Sequence, residues 1–562
     1  MRLNFDGGLG YDTIIVGSQA HNQNFGIISD DRIQIQGEVQ SESVFLRARD
    51  IINQGSIIAG DVTAEFSNSY SDNADAKIIG IDGGNILLNG GKTGDIAVTG
   101  QFLATGTMGG KIDFRGKVVN LRGARLDASG ENGGGTILVG GDYQGVNSVD
   151  SPDLANAEST FVDKYSKIEA SANGNGNGGK VIIWADMDTD FRGDIKAKGG
   201  NQLGDGGFVE VSGKQDLNFV GNVDVSATNG AIGSILLDPT DIIINPDDDN
   251  DETFDVSNLQ SIVGDLSLSA TNSIILNANL YLQPIRGTVT FQAVETVALY
   301  GYLWAGLHDI NITAGSIIAN GGAIFSNPYS GNGRSGNINL VSQREIDLGQ
   351  TTIFAESNSN SGNITLTAGT TINAGFMTAY GKNRGGNVKL TANGDIFTSS
   401  IRTFSASGKG GNISIVSTNG SIKATNIDPY DSNGTSLYTI GLDGNGGSVT
   451  LEAYSDIVTN SILTASYNSG NAGAVKLTSQ NGEIYTSKIL TFANQGKAGN
   501  VILKSVEDIK VGDIIAKSSG ETTDPSLIWN GGAVNITSSG NIETGSITTT
   551  SLTGAGGVVI QK

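Results

Sequence analysis

GNITLTAGTTINAGFMTAYGKNRG, residues 362–385, decides the fold. It holds three short runs, NITLTA, TINAG and FMTAY, followed by a polar, Gly-containing turn. Apolar and polar residues alternate within the runs, so each would set one face inward and one outward as a strand. The unit is too short for a strand-helix-strand crossover and carries no helical periodicity. It fits one coil of a parallel β-helix, in which every strand pairs with its equivalent one turn later.

Working outward, the same opening recurs with Gly at 336, 362, 386, 411, 447, 473, 499 and 532, at spacings of 26, 24, 25, 36, 26, 26 and 33. Upstream, GGNILLNG, GGKIDFRG, GGTILVGG, GGKVIIWA, GGFVEVSG and IGSILLDP place Gly at 84, 110, 135, 179, 207 and 233, spaced 26, 25, 44, 28 and 26. GDLSLSA at Gly264, GTVTFQA at Gly287 and HDINITA near Asp309 keep the rhythm between the halves, and GGVVIQK at Gly557 opens a further unit. The expected fold is all-β, a solenoid of roughly 20 coils that would extend about 100 Å at about 4.8 Å per coil. Ile, Val and Leu would fill an internal column. Gly and Asn would occupy corners that need left-handed or otherwise strained backbone, and stacked Asn side chains would hydrogen-bond along the axis. Four segments are expected: 1–83, 84–245, an irregular 246–335, and the regular 336–562.

Composition agrees. Of 562 residues 82 are Gly and only 7 Pro, while 38% are hydrophobic, a balance that suits many short strands joined by tight turns. The net charge of −23 argues against nucleic acid and anionic lipid as partners. Cys is absent, which favours a chain exported without oxidative traps. No apolar run approaches the about 18 residues of a membrane span. The opening MRLNFDGGLG lacks the basic and apolar regions of a signal peptide.

Loops carry specificity in a solenoid, and three repeats are lengthened, at 142–167, 428–446 and 521–531. The acidic run PDDDNDETFD, 246–255, offers Asp247, Asp249 and Asp251 to a calcium ion, or forms a solvated turn, the commoner outcome for such a run. A second calcium candidate is FDGGLGYDTII, where Asp6, Gly8, Gly10 and Asp12 fall in a nonapeptide like that of RTX β-rolls. Those rolls share each ion between neighbouring turns, and no second copy occurs. Calcium is thus the one possible cofactor. In DMDTDF, Asp186, Asp188 and Asp190 would share the solvent face of a strand.

LYGYLWAGLHD, 299–309, sets Tyr300, Tyr302, Trp304 and His308 at even spacing, hence on one side of a strand. Facing outward, the aromatic residues would offer a platform for sugar rings. Facing inward, they would fill a wide coil, which is the commoner arrangement. Trp184 and Trp529 are expected as packing residues or loop anchors. His21 and His308 lie far apart with no nucleophile signature near either, and no pair of carboxylates stands out as a catalytic couple. A non-enzymatic protein is expected. The alternatives are a β-helical carbohydrate-active enzyme or binding module and, after it, an RTX-type calcium protein.

The combination GGDYQG (140–145), GGKVIIWAD (178–186), GGFVEVSGK (206–214) and LLDPTDIII (236–244) resembles the filamentous haemagglutinin-like exoproteins of two-partner secretion systems, especially the cyanobacterial ones. The resemblance spans about 134–245 and continues through DVSNLQSIVGDLSLSATNSIILNANL. It implies a single-stranded right-handed parallel β-helix, secretion through an outer-membrane pore, an extracellular or cell-surface location, and adhesion to glycans or proteins of other cells. The family's N-terminal secretion domain, with its NPNL and NPNG motifs, is not seen, so the chain is expected to be an internal or C-terminal portion of such a protein.

Overall fold

A computed structural model describes residues 2–4, 13–17, 20–146, 154–246, 254–282, 287–328, 333–426, 434–520 and 530–562. Nearly every element is a strand, and every pairing whose register is resolved is parallel. The sole α-helix among the described residues is the short Val256–Ser261. The chain is a parallel β-helix, divided into two compact units. One comprises Met1–Ile274 with Pro284–Thr290, the other Ile275–Gln283 with Phe291–Lys562. The expected irregular segment 246–335 is thus shared between them.

In the second unit the coil read from 362–385 forms strands Ile364–Ala368, Ile372–Ala374 and Met377–Gly381. Its first strand pairs Leu366 with Leu340 before it and Leu390 after it, and the column runs on through Ile415, Leu451, Leu477, Leu503 and Ile536. All eight side chains are fully buried. Parallel pairing at about 4.8 Å brings each into contact with its copies above and below, so apolar burial repeats with every coil.

The corner glycines differ from expectation. None of Gly362, Gly386, Gly411 or Gly447 has a left-handed backbone. Their need is space: a Cβ on Gly411 would overlap the carbonyl oxygen of Gly386, and one on Gly447 that of Gly411. The Asn expectation holds, with both backbone N–H groups and side-chain amides as donors. Asn363 Oδ1 accepts the Asn387 N–H at 2.9 Å, Asn387 Oδ1 accepts that of Asn412 at 2.9 Å, and Asn412 Oδ1 that of Ser448 at 2.9 Å. A buried hydroxyl column was not foreseen. Thr403, Thr439, Thr464 and Thr491 share one register and donate to the carbonyls of Gly411, Gly447, Gly473 and Gly499 at 2.5–2.7 Å. Each bond ties the third strand of a coil to the corner that opens the next.

The first unit repeats the plan. The sequence-matched openings pair in order, Asn85 with Lys111, Lys111 with Thr136, Thr136 with Lys180, Lys180 with Phe208 and Phe208 with Ser234. Its early coils use long strands instead, Glu38–Asn53, Ser56–Asp72 and Lys77–Asn89, which pair Val39 with Ile57 and Ile57 with Ile78.

Candidate functional site

In the second unit, the strand Leu303–Trp304 buries Leu303 and turns Trp304 outward. Parallel register then builds a row along this face, one residue per coil: Tyr281, Trp304, Phe325, Phe354, Thr378, Arg402 and Tyr438, of which only Thr378 is buried. Tyr281 and Trp304 rings lie 5.7 Å apart edge to face, and Phe325 and Phe354 stack at 4.9 Å with planes within 8°. Tyr302 flanks the row, 6.0 Å from Phe325. Tyr281, Tyr302, Trp304, Phe325 and Asn327 line an open groove of about 310 Å³. The Trp304 indole N–H donates to the Asn327 carbonyl at 3.0 Å, which fixes the ring as one wall.

Of the stripe foreseen from sequence, Tyr300 and Tyr302 are therefore exposed and Trp304 half-buried, all outward rather than filling the coil. Tyr302 and Trp304 enter the groove, and Tyr300 does not. Tyr281, Phe325 and Asn327 were missed, because their even register with Trp304 is visible only once coil lengths are known.

Two coils further along, Glu356 lies beside the same row. Burial pushes its carboxyl above the ordinary range, against a hydrogen bond from Thr378 and the charge of Arg402. The Arg402 guanidinium stands over the Phe404 ring at 5.2 Å and the Tyr438 ring at 5.5 Å, a cation–π arrangement that holds it against the sheet.

Neither protein-family models nor curated proteins match the chain.

A second cluster occupies the first unit. Leu138, Ile182 and Glu210 follow one another in register on the outward face, yet all three are buried. The cover is the start of the long insertion, Gly140–Val146, which folds back over the sheet with left-handed backbone at Gly140, Gln144 and Gly145. Trp184, 4% exposed, packs with Leu138 and Ile182 beneath it and donates its indole N–H to Asp186 at 2.9 Å. It is the loop anchor that the sequence suggested. Lys180 Nζ reaches Asp142 at 2.7 Å, and Tyr143 packs on Phe208 with rings 5.7 Å apart. Gln144 donates its N–H to Glu210 and its side-chain amide to Asp238 at 3.3 Å. Burial, with the nearby Asp238 charge adding to it, pushes the Glu210 carboxyl up to about 7, and burial raises Asp238 as well. Two carboxylates with raised pKa would suit acid–base chemistry, but Glu210 is fully covered and touches the strap instead.

Asp188 and Asp190 lie on the outward side of the strand Asp188–Phe191, with Thr189 buried between them, as expected of surface charge. The calcium candidates Asp6, Gly8, Gly10, Asp12, Asp247, Asp249 and Asp251 lie outside the described residues, as do Trp529 and much of the three insertions. Among the described residues no three His, Asp or Glu side chains converge as a metal would require, and no helix is long and apolar enough to cross a membrane.

Proposed function

We propose that the chain is a non-enzymatic, adhesin-like β-solenoid of a secreted or cell-surface protein, and that it binds neutral carbohydrate in the aromatic groove of its second unit. The observation that carries the reading is the groove itself: Tyr281, Tyr302, Trp304 and Phe325 converge on one outward surface beside Asn327. Aromatic walls favour the C–H faces of sugars, while amide and phenol groups meet hydroxyls. The strands beneath are tied to neighbours on both sides, so the walls are preorganised and little ordering is needed on binding. The net charge of −23 disfavours anionic partners. The resemblance to two-partner secretion exoproteins supports adhesion, aggregation or cell contact as the setting and an outer-membrane pore as the exit route.

A glycan array probed with the intact chain tests this. The expected result is selective retention of neutral glycans, lost in a Tyr302→Ala/Trp304→Ala variant whose circular dichroism is unchanged. Retention that is equal in the variant would overturn it.

A further inference from the structure

Resting on the carbohydrate reading, we infer that the groove is one end of a longer site, and that its ligand is an extended, β-linked neutral polysaccharide lying along the stacking direction of the second unit. Three observations carry this. The first is geometry: the row from Trp304 through Phe325, Phe354 and Thr378 to Arg402 advances one residue per coil, and all but the buried Thr378 keep part of their surface exposed. From Phe325 to Arg402 is three coil steps, about 15 Å at strand spacing. An extended β-linked glycan advances by about one such coil step per sugar, so its sugars keep pace with the coils.

The second observation is the polar flank of the row. Half-buried Arg402, held over the Phe404 and Tyr438 rings, and half-buried Glu356, which has Thr378 and Arg402 beside it, set a donor and an acceptor for hydroxyls at the far end of the row.

The third is the character of the floor. Phe325 and Phe354 stack on each other, so they turn edges rather than faces outward. Ring edges carry the positive side of the aromatic quadrupole and suit sugar oxygens, while Tyr281, Tyr302 and Trp304 add apolar ring surface to the groove. A row that keeps one register over successive coils, aromatic at one end and polar at the other, matches a straight chain, not a coiled α-linked one.

Calorimetric titration of the intact chain with cellobiose, cellotetraose, cellohexaose and maltotetraose tests the inference. Affinity is expected to rise at least about tenfold from cellobiose to cellotetraose, with maltotetraose weaker. Arg402→Met should lower cellotetraose affinity about tenfold and leave cellobiose unchanged, whereas Trp304→Ala lowers both. Glu356→Gln, which keeps the side-chain volume, should show the same length-dependent loss and serves if Arg402→Met does not fold. Affinity independent of length, equal loss at both lengths, or preference for maltotetraose would overturn the inference. Failure of every cello-oligosaccharide would do so too, while retention of other neutral glycans on the array would leave the carbohydrate reading standing.

Discussion

The backbone N–H of Gln144 donates to both carboxylate oxygens of Glu210, at 3.1 and 3.2 Å, across 66 residues of sequence. The contact explains how an insertion becomes part of the first unit's wall. A sheet face that carries Leu138, Ile182 and Trp184 outward needs cover, and the strap Gly140–Val146 supplies it while its Gln144 N–H is met by Glu210.

That carboxyl sets a pH dependence. It rests at about 7 in the folded chain against an ordinary value of 4.5, so the folded state keeps a proton that the unfolded chain releases. Its stabilising contribution is complete below about pH 4.5 and is lost as pH rises through about 7. Asp72, raised by burial to about 6, acts in the same direction. Asp142 acts oppositely: hydrogen bonds from Lys180 and the Tyr143 N–H outweigh its burial and hold it low, so its contribution is lost as pH falls. Urea midpoints should therefore decline between about pH 5 and about pH 8, and Glu210→Gln should flatten most of that decline. An unchanged slope in the variant would show that Glu210 is not the group.

The hydroxyl column predicts a different cost. Thr439 Oγ1 donates to the Gly447 carbonyl at 2.5 Å in a fully buried position. Thr439→Val keeps the shape but leaves that carbonyl unpaired, and should destabilise by about 1–3 kcal/mol in denaturant titrations.

At the corner, Gly411→Ala sets a methyl group against the Gly386 carbonyl oxygen. The neighbouring backbone has no room to yield without disturbing its own pairing, so this small change should cost more than Asn412→Ala, which removes one side-chain acceptor. Thermal melts of the two variants compare them directly.

Within the apolar column, Leu366→Ala should cost about 2–5 kcal/mol, since Leu340 and Leu390 above and below are held by their own strands and cannot collapse into the space.

The repeat was legible because GG or SG corners recur wherever backbones stack closely, and their spacings reappear unchanged as strand registers, Ile338 to Ile364 to Val388 to Ile413. The early coils were not legible. Glu38–Asn53 runs as one continuous strand that holds no glycine, so nothing in the sequence punctuates it. The site was half legible: even spacing placed Tyr302 and Trp304 together, but whether an alternating stripe faces in or out depends on Leu303 being the buried partner. Phe325 and Tyr281 join them only through pairing across coils of unequal length. The role of Glu210 was hidden because its strand position is an outward one that only a distant loop converts into the interior.

The most direct measurement is tryptophan fluorescence of the intact chain titrated with cellohexaose, compared with Trp304→Phe. Trp304 is half-buried in the groove wall, whereas Trp184 is enclosed beneath the strap. The account predicts a saturable change in the wild-type chain that disappears in Trp304→Phe. A titration without change, or one that persists undiminished in the variant, would contradict it.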